Sequence, residues 1–137
     1  MTESSAFGDI DNDGDIDVNI SNNNGRANIL ICYGKPIDNW IGFLLEGIVS
    51  NKDAIGSHLT VETEELIQKK VVNAAGSYLA SNDKRVLFGL GKASNLKMVQ
   101  VELSSGCLDT YYKLETNRYY KIIEGENIEP INFKKKK

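Results

Sequence analysis

Val99-Gln-Val-Glu-Leu103 sets apolar residues against polar ones in strict alternation. A period of two puts alternate side chains on opposite sides of an extended chain, so this stretch predicts a half-buried strand. The same period recurs on both sides of it. Ile16, Val18 and Ile20 alternate with Asp17 and Asn19, and Leu59 and Val61 alternate with His58, Thr60 and Glu62. Segments 27–33, 40–48, 85–88, 107–114 and 119–123 also read as β. The polar run 63–70 could open a helix, but Val71 and Val72 are β-branched, so a turn at Glu64-Glu65 followed by a strand is preferred. Residues 93–96 read as one helical turn. Turn signals fall every 8 to 12 residues or so, among them Ser21-Asn-Asn-Asn-Gly25, 34–39 with Pro36, and Ser105-Gly106. The expected fold is all-β, a sandwich- or barrel-like antiparallel domain behind an N-terminal β-hairpin.

Composition removes several function classes. At 137 residues with 41% hydrophobic content, the chain can build one core. Its net charge of −3 is unevenly placed, with five aspartates between residues 9 and 17 and four lysines at 134–137. The rest is close to neutral, so a broad basic face for nucleic acid is not expected. No run approaches the roughly 18 to 20 apolar residues of a membrane helix, so membrane insertion is not expected either. The first residues show neither a basic nor an apolar signal region. Cys32, Cys107 and the single His58 stand apart, which argues against a zinc site of Cys and His. The two cysteines read as unpaired thiols, with a disulfide between them as the alternative.

One motif carries chemistry. Asp9-Ile-Asp-Asn-Asp-Gly-Asp-Ile-Asp17 has the form D-x-D-x-D-G-x-x-D. Calcium is a hard cation that takes 6 to 8 oxygens at roughly 2.3–2.6 Å. Carboxylates of Asp9, Asp11 and Asp13 can turn inward on one ion, Gly14 permits the bend, Asp15 offers its backbone carbonyl, and Asp17 completes the set. Five carboxylates this close repel one another without a cation. An EF-hand is excluded, because Ile20 stands where a bidentate Glu is required and a strand pattern follows where a helix should.

Other features read as structure. Gly89-Leu-Gly91-Lys92 lacks phosphate-loop spacing and reads as a turn. His58 alternates to the surface. In the pairs Tyr111-Tyr112 and Tyr119-Tyr120, one ring of each is expected inside and the other outside. Asn19-Ile-Ser21 matches the glycosylation sequon, which matters only on an exported chain.

The segment Ala6-Phe-Gly-Asp-Ile-Asp-Asn-Asp-Gly-Asp-Ile-Asp-Val18 resembles an FG-GAP/VCBS-type calcium repeat. From residue 39 to about 124 the chain resembles the ASPIC/UnbV domain. The resemblance rests on Asn39-Trp40, Ser50-Asn-Lys-Asp-Ala-Ile-Gly56, Ala75-Gly-Ser-Tyr-Leu-Ala-Ser81 followed by Arg85-Val-Leu-Phe-Gly-Leu-Gly91, Ser105-Gly106 and Asn117-Arg-Tyr-Tyr120. Leu103-Ser104 departs from the Trp-Pro common in the family. The expected organisation is a calcium-binding hairpin at 1–38, a β domain at 39–125 and a polar, lysine-rich tail at 126–137. The resemblance implies a calcium-binding, non-enzymatic module, extracellular or at the cell surface, with Asp9, Asp11, Asp13, Asp15 and Asp17 at the metal. Its partner would be a protein or a glycan, and self-association through open strand edges is expected. The alternative is a carbohydrate-binding or accessory module of a secreted protein, using exposed Tyr rings or Trp40.

Overall fold

Alternation becomes strand along the chain. The structure, a computed structural model, describes residues 2–33, 38–73, 75–77 and 80–133. The expected boundary at 34–37 and the lysine run at 134–137 lie outside the described residues. Among the described residues the regular elements are β1 (Thr2–Gly8), β2 (Asp17–Asn22), β3 (Asn28–Leu30), β4 (Asn39–Glu46), β5 (His58–Glu62), β6 (Ile67–Val71), β7 (Ala75–Ser77), β8 (Ala80–Ser81), β9 (Val86–Gly91), β10 (Met98–Glu102), β11 (Leu108–Tyr111), β12 (Tyr119–Ile123) and β13 (Ile128–Pro130).

Two four-stranded sheets form the sandwich, ordered β11-β10-β5-β6 and β13-β12-β4-β9. Pairing is antiparallel except between β12 and β4, which run parallel with Tyr119 opposite Gly42 and Tyr120 opposite Phe43. Inward residues of alternating strands meet between the sheets. Leu59, Val61, Val99 and Val101 come from one sheet, and Ile41, Phe43, Phe88, Tyr120 and Ile122 from the other, all buried in one core. At roughly 1.5–3 kcal/mol per buried large aliphatic or aromatic side chain, this layer is the main source of stability.

Several elements differ from the sequence reading. β1 carries no alternation of large apolar residues, yet it pairs with β2 over 2–8, so the N-terminal unit is a three-stranded sheet β1-β2-β3 rather than a hairpin. Residues 93–96 form no helical turn; Asn95 instead makes an isolated bridge to Glu115. Residues 128–130, expected in a tail, pair with β12 and extend the sheet. Tyr119 and Tyr120 are both buried, because the sheet that contains β12 is covered on both faces where they sit. Tyr120 faces the sandwich core, while Tyr119 points out of the other side and is covered there by the acidic loop. Tyr112 is exposed and Tyr111 half-buried, as the alternation requires. Trp40 is buried too, so of the rings that could have formed a sugar-stacking platform Trp40, Tyr119 and Tyr120 are spent on packing and Tyr112 stays exposed. Cys32 and Cys107 are both free thiols.

Candidate metal centre

The loop between β1 and β2 holds the acidic motif, and its own backbone shapes it. The carboxylate of Asp9 is buried and accepts the N–H of Asp13 at 3.1 Å and of Gly14 at 2.9 Å. Asp17 is equally buried and accepts the N–H of Ile10 at 2.7 Å and of Cys32 at 2.8 Å. Asp13 accepts the N–H of Asp15 at 3.0 Å, closing a further turn. Asn12 and Gly14 bend the chain with positive φ, 63° and 95°. Gly14 has a second reason to be glycine: its Cα lies on the indole of Trp40, where any Cβ would collide with the ring.

Three of the five aspartates converge. Ligand oxygens of Asp9, Asp11 and Asp17 all lie within 4.8 Å of one another. Oxygens bound to one calcium at roughly 2.5 Å can be at most about 5 Å apart, so the trio meets that limit. All three donors are hard carboxylate oxygens, two of them shielded from water, and Asp11 is exposed on the open side. Asp13 and Asp15 are outside the trio. Asp13 instead spends an oxygen on the Asp15 N–H, while the Asp15 carboxylate sits 3.8 Å from the Cys32 sulfur. The Asp11 carboxyl is held above the ordinary carboxylate value, by desolvation first and then by the charges of Asp13, Asp17 and Asp9. A cation at this position would remove that repulsion.

The sandwich reaches into the site with Tyr119 and Arg85, which the sequence reading placed in a tyrosine pair and in family motifs but not at the acidic loop. The hydroxyl of Tyr119 donates to Asp9 Oδ2 at 2.6 Å across 110 positions. Arg85 donates to the backbone carbonyl of Asp9 and to Asn12 Oδ1, and is itself held by Asp83, with Nε to Oδ2 at 2.7 Å. Its guanidinium lies over the Tyr119 ring at 4.6 Å. Burial, and then the hydrogen bond to Asp9, raise the Tyr119 phenol far above its ordinary value, so it stays a donor. Nothing local marks either residue as part of this site, since each acts through a contact remote in sequence. A cleft of about 650 Å³ opens beside the loop, with Asp11 and Asn12 on one side and Arg118 and Phe133 on the other.

A second buried acid lies elsewhere in the sandwich. Glu124 accepts the N–H groups of Ile48, Val49 and Ser50, each at 2.7 Å, and the hydroxyls of Ser50 and Ser105. These donors, Ser105 foremost, bring its pKa down to about 2. With every donor supplied by the chain, it is a structural anchor for two loops.

A family model described as ASPIC and UnbV matches residues 47–129. The match takes in Arg85, Tyr119 and Glu124, and begins after the acidic loop and Trp40. No curated protein matches the chain.

Proposed function

The chain belongs to the ASPIC and UnbV family, and on that premise we propose that it is a non-enzymatic, calcium-binding β module for binding or adhesion outside the cell or at its surface. The observation that carries the calcium reading is the convergence of the Asp9, Asp11 and Asp17 oxygens within 4.8 Å at a loop that resembles an FG-GAP/VCBS repeat. Calcium bound there would neutralise the trio, and the absence of a bidentate Glu leaves positions in its shell for water. Affinity therefore belongs in the weak range of extracellular modules, about 10⁻⁴ to 10⁻³ M. The partner in this reading is a protein or glycan, and self-association would use β3, which ends its sheet among the described residues. Trp40, Tyr119 and Tyr120 are buried, which leaves exposed Tyr112 without them as a stacking surface, so the carbohydrate reading is the weaker of the two.

Thermal melting with calcium and with chelator tests the metal assignment. At ten times Kd, binding to the folded state alone adds about 1.4 kcal/mol. For a chain of this size that is roughly 5 °C in Tm. Asp11→Asn should abolish this shift while leaving the melt in chelator unchanged or slightly higher, because it removes a repelling charge and no backbone contact. Equal melting of the unmodified protein in calcium and in chelator would sink the assignment.

A further inference from the structure

We propose that the metal centre is completed from the family domain, with Tyr119 and Arg85 as positioning residues that set its calcium affinity. The inference rests on the calcium reading above and adds to it which distant residues hold the ligands in place.

Asp9 has two tasks in that reading. It must present oxygen to the ion, and it must also gather the N–H groups of Asp13 and Gly14 that shape the loop. A carboxylate can rotate about its terminal bond, and the two loop N–H groups move with the loop itself. The Tyr119 hydroxyl is the fixed point from outside it. A carboxylate can only accept, so the phenol donates, and its 2.6 Å bond to Oδ2 selects one carboxylate orientation. The ring that carries the hydroxyl cannot drift. It lies on Gly42, where any Cβ would overlap it. Trp40 flanks it at 5.0 Å, Phe133 meets it edge-on at 5.6 Å, and Arg85 covers it at 4.6 Å.

Arg85 fixes the loop backbone in the same way. One guanidinium donates to the Asp9 carbonyl and to the Asn12 side chain, spanning the first turn of the loop. Asp83 holds that guanidinium from behind, and the N–H of Asp83 bonds the Phe7 carbonyl at 2.9 Å, tying the same corner to β1. Partners that orient metal ligands typically change affinity by roughly 10- to 100-fold when removed. Coupling of this kind is reciprocal, so calcium also tightens the contact between loop and sandwich. Trp40, the single tryptophan, sits under Gly14 and should report that tightening in its emission.

Calorimetric titration with calcium chloride, on the intact chain, tests the proposal with three variants. Tyr119→Phe removes only the hydroxyl and should raise Kd roughly tenfold. Arg85→Lys keeps the charge, loses the two-point grip on the loop, and should also weaken binding. Tyr120→Phe is the control, because that hydroxyl bonds Glu115 from the opposite face of the same strand and does not meet the loop. Its Kd should equal that of the unmodified protein, which separates positioning from general loss of stability. If the unmodified protein binds calcium but Tyr119→Phe binds equally well, or Tyr120→Phe weakens binding as much, the proposal is overturned while the calcium reading stands. If the unmodified protein takes up no calcium, both fall.

Discussion

Glu124 is 5% exposed, yet its carboxylate is ionised far below the ordinary value, because every oxygen has donors aimed at it. Three consecutive N–H groups, from Ile48 to Ser50, converge on its Oε2, and the Ser50 hydroxyl in turn accepts the N–H of Ser105 at 3.1 Å. The side chains of Ile48 and Val49 are meanwhile held out in solvent. The folded pKa of about 2 lies below the ordinary 4.5, so the sign is that of a depressed acid. Its contribution is fully present above pH 4.5 and is lost as the pH falls toward 2. Glu124→Gln should therefore melt at a lower temperature than the unmodified protein at pH 7. The gap should narrow through pH 4 and 3, and melting curves at those three values check it; a gap independent of pH would assign the effect to packing. The turns that Glu124 joins were legible as Ser50-Asn-Lys-Asp-Ala-Ile-Gly56 and Ser105-Gly106. The acid that joins them was not, because it lies 74 and 19 positions away and reads locally as the polar end of a strand.

Strands with a clear period were legible as elements, down to the turn at Glu64-Glu65 before β6. Edges were harder, because an edge is defined by what fails to pair with it. β9 ends its sheet, and its free carbonyls at Leu87 and Gly89 face β6 of the other sheet. Lys70 donates to the first at 2.5 Å and Gln68 to the second at 2.6 Å. The Lys70 ammonium also sits 5.1 Å from the Phe88 ring centre, and burial lowers its pKa. In sequence Lys69-Lys70 reads as two solvated charges; only the alternation shows that Gln68 and Lys70 point the same way. Side chains here close a seam that backbone pairing leaves open, and they also occupy groups that could recruit a foreign strand. Lys70→Ala should cost about 1–2.5 kcal/mol, the sum expected for one exposed cation–π contact and one hydrogen bond. It should also raise the tendency to associate. Denaturant melts give the first quantity and light scattering during heating the second; an unchanged midpoint would show that the seam contributes nothing.

Across the whole molecule, the N-terminal sheet acts as a partial third layer. Asp9, Asn12 and Gly14 lie against Tyr119, Arg85 and Trp40, on the face of the β13-β12-β4-β9 sheet that the sandwich core does not use. This is why both adjacent tyrosines of β12 are buried, and why a reading based on one covered face per sheet failed there. The edge of β1 is partly closed as well, since the Phe7 N–H bonds Asn82 at 3.0 Å and its carbonyl takes the Asp83 N–H. The N-terminal unit and the sandwich should therefore unfold together. A chain begun at residue 39 tests this. Uncovering about 100 Å² on each of Trp40 and Tyr119 forfeits on the order of 5 kcal/mol at 25 cal/mol per Å². That is comparable with the entire stability of an ordinary domain, about 5–15 kcal/mol. The shortened chain should melt at least 10 °C lower than the full one in chelator, or associate through the exposed rings. The full chain should show one transition by both circular dichroism and Trp40 emission. Two separate transitions in the full chain, or a shortened chain that melts unchanged as a monomer, would show that the N-terminal sheet and the sandwich are independent, with the metal loop resting on a surface that does not need it.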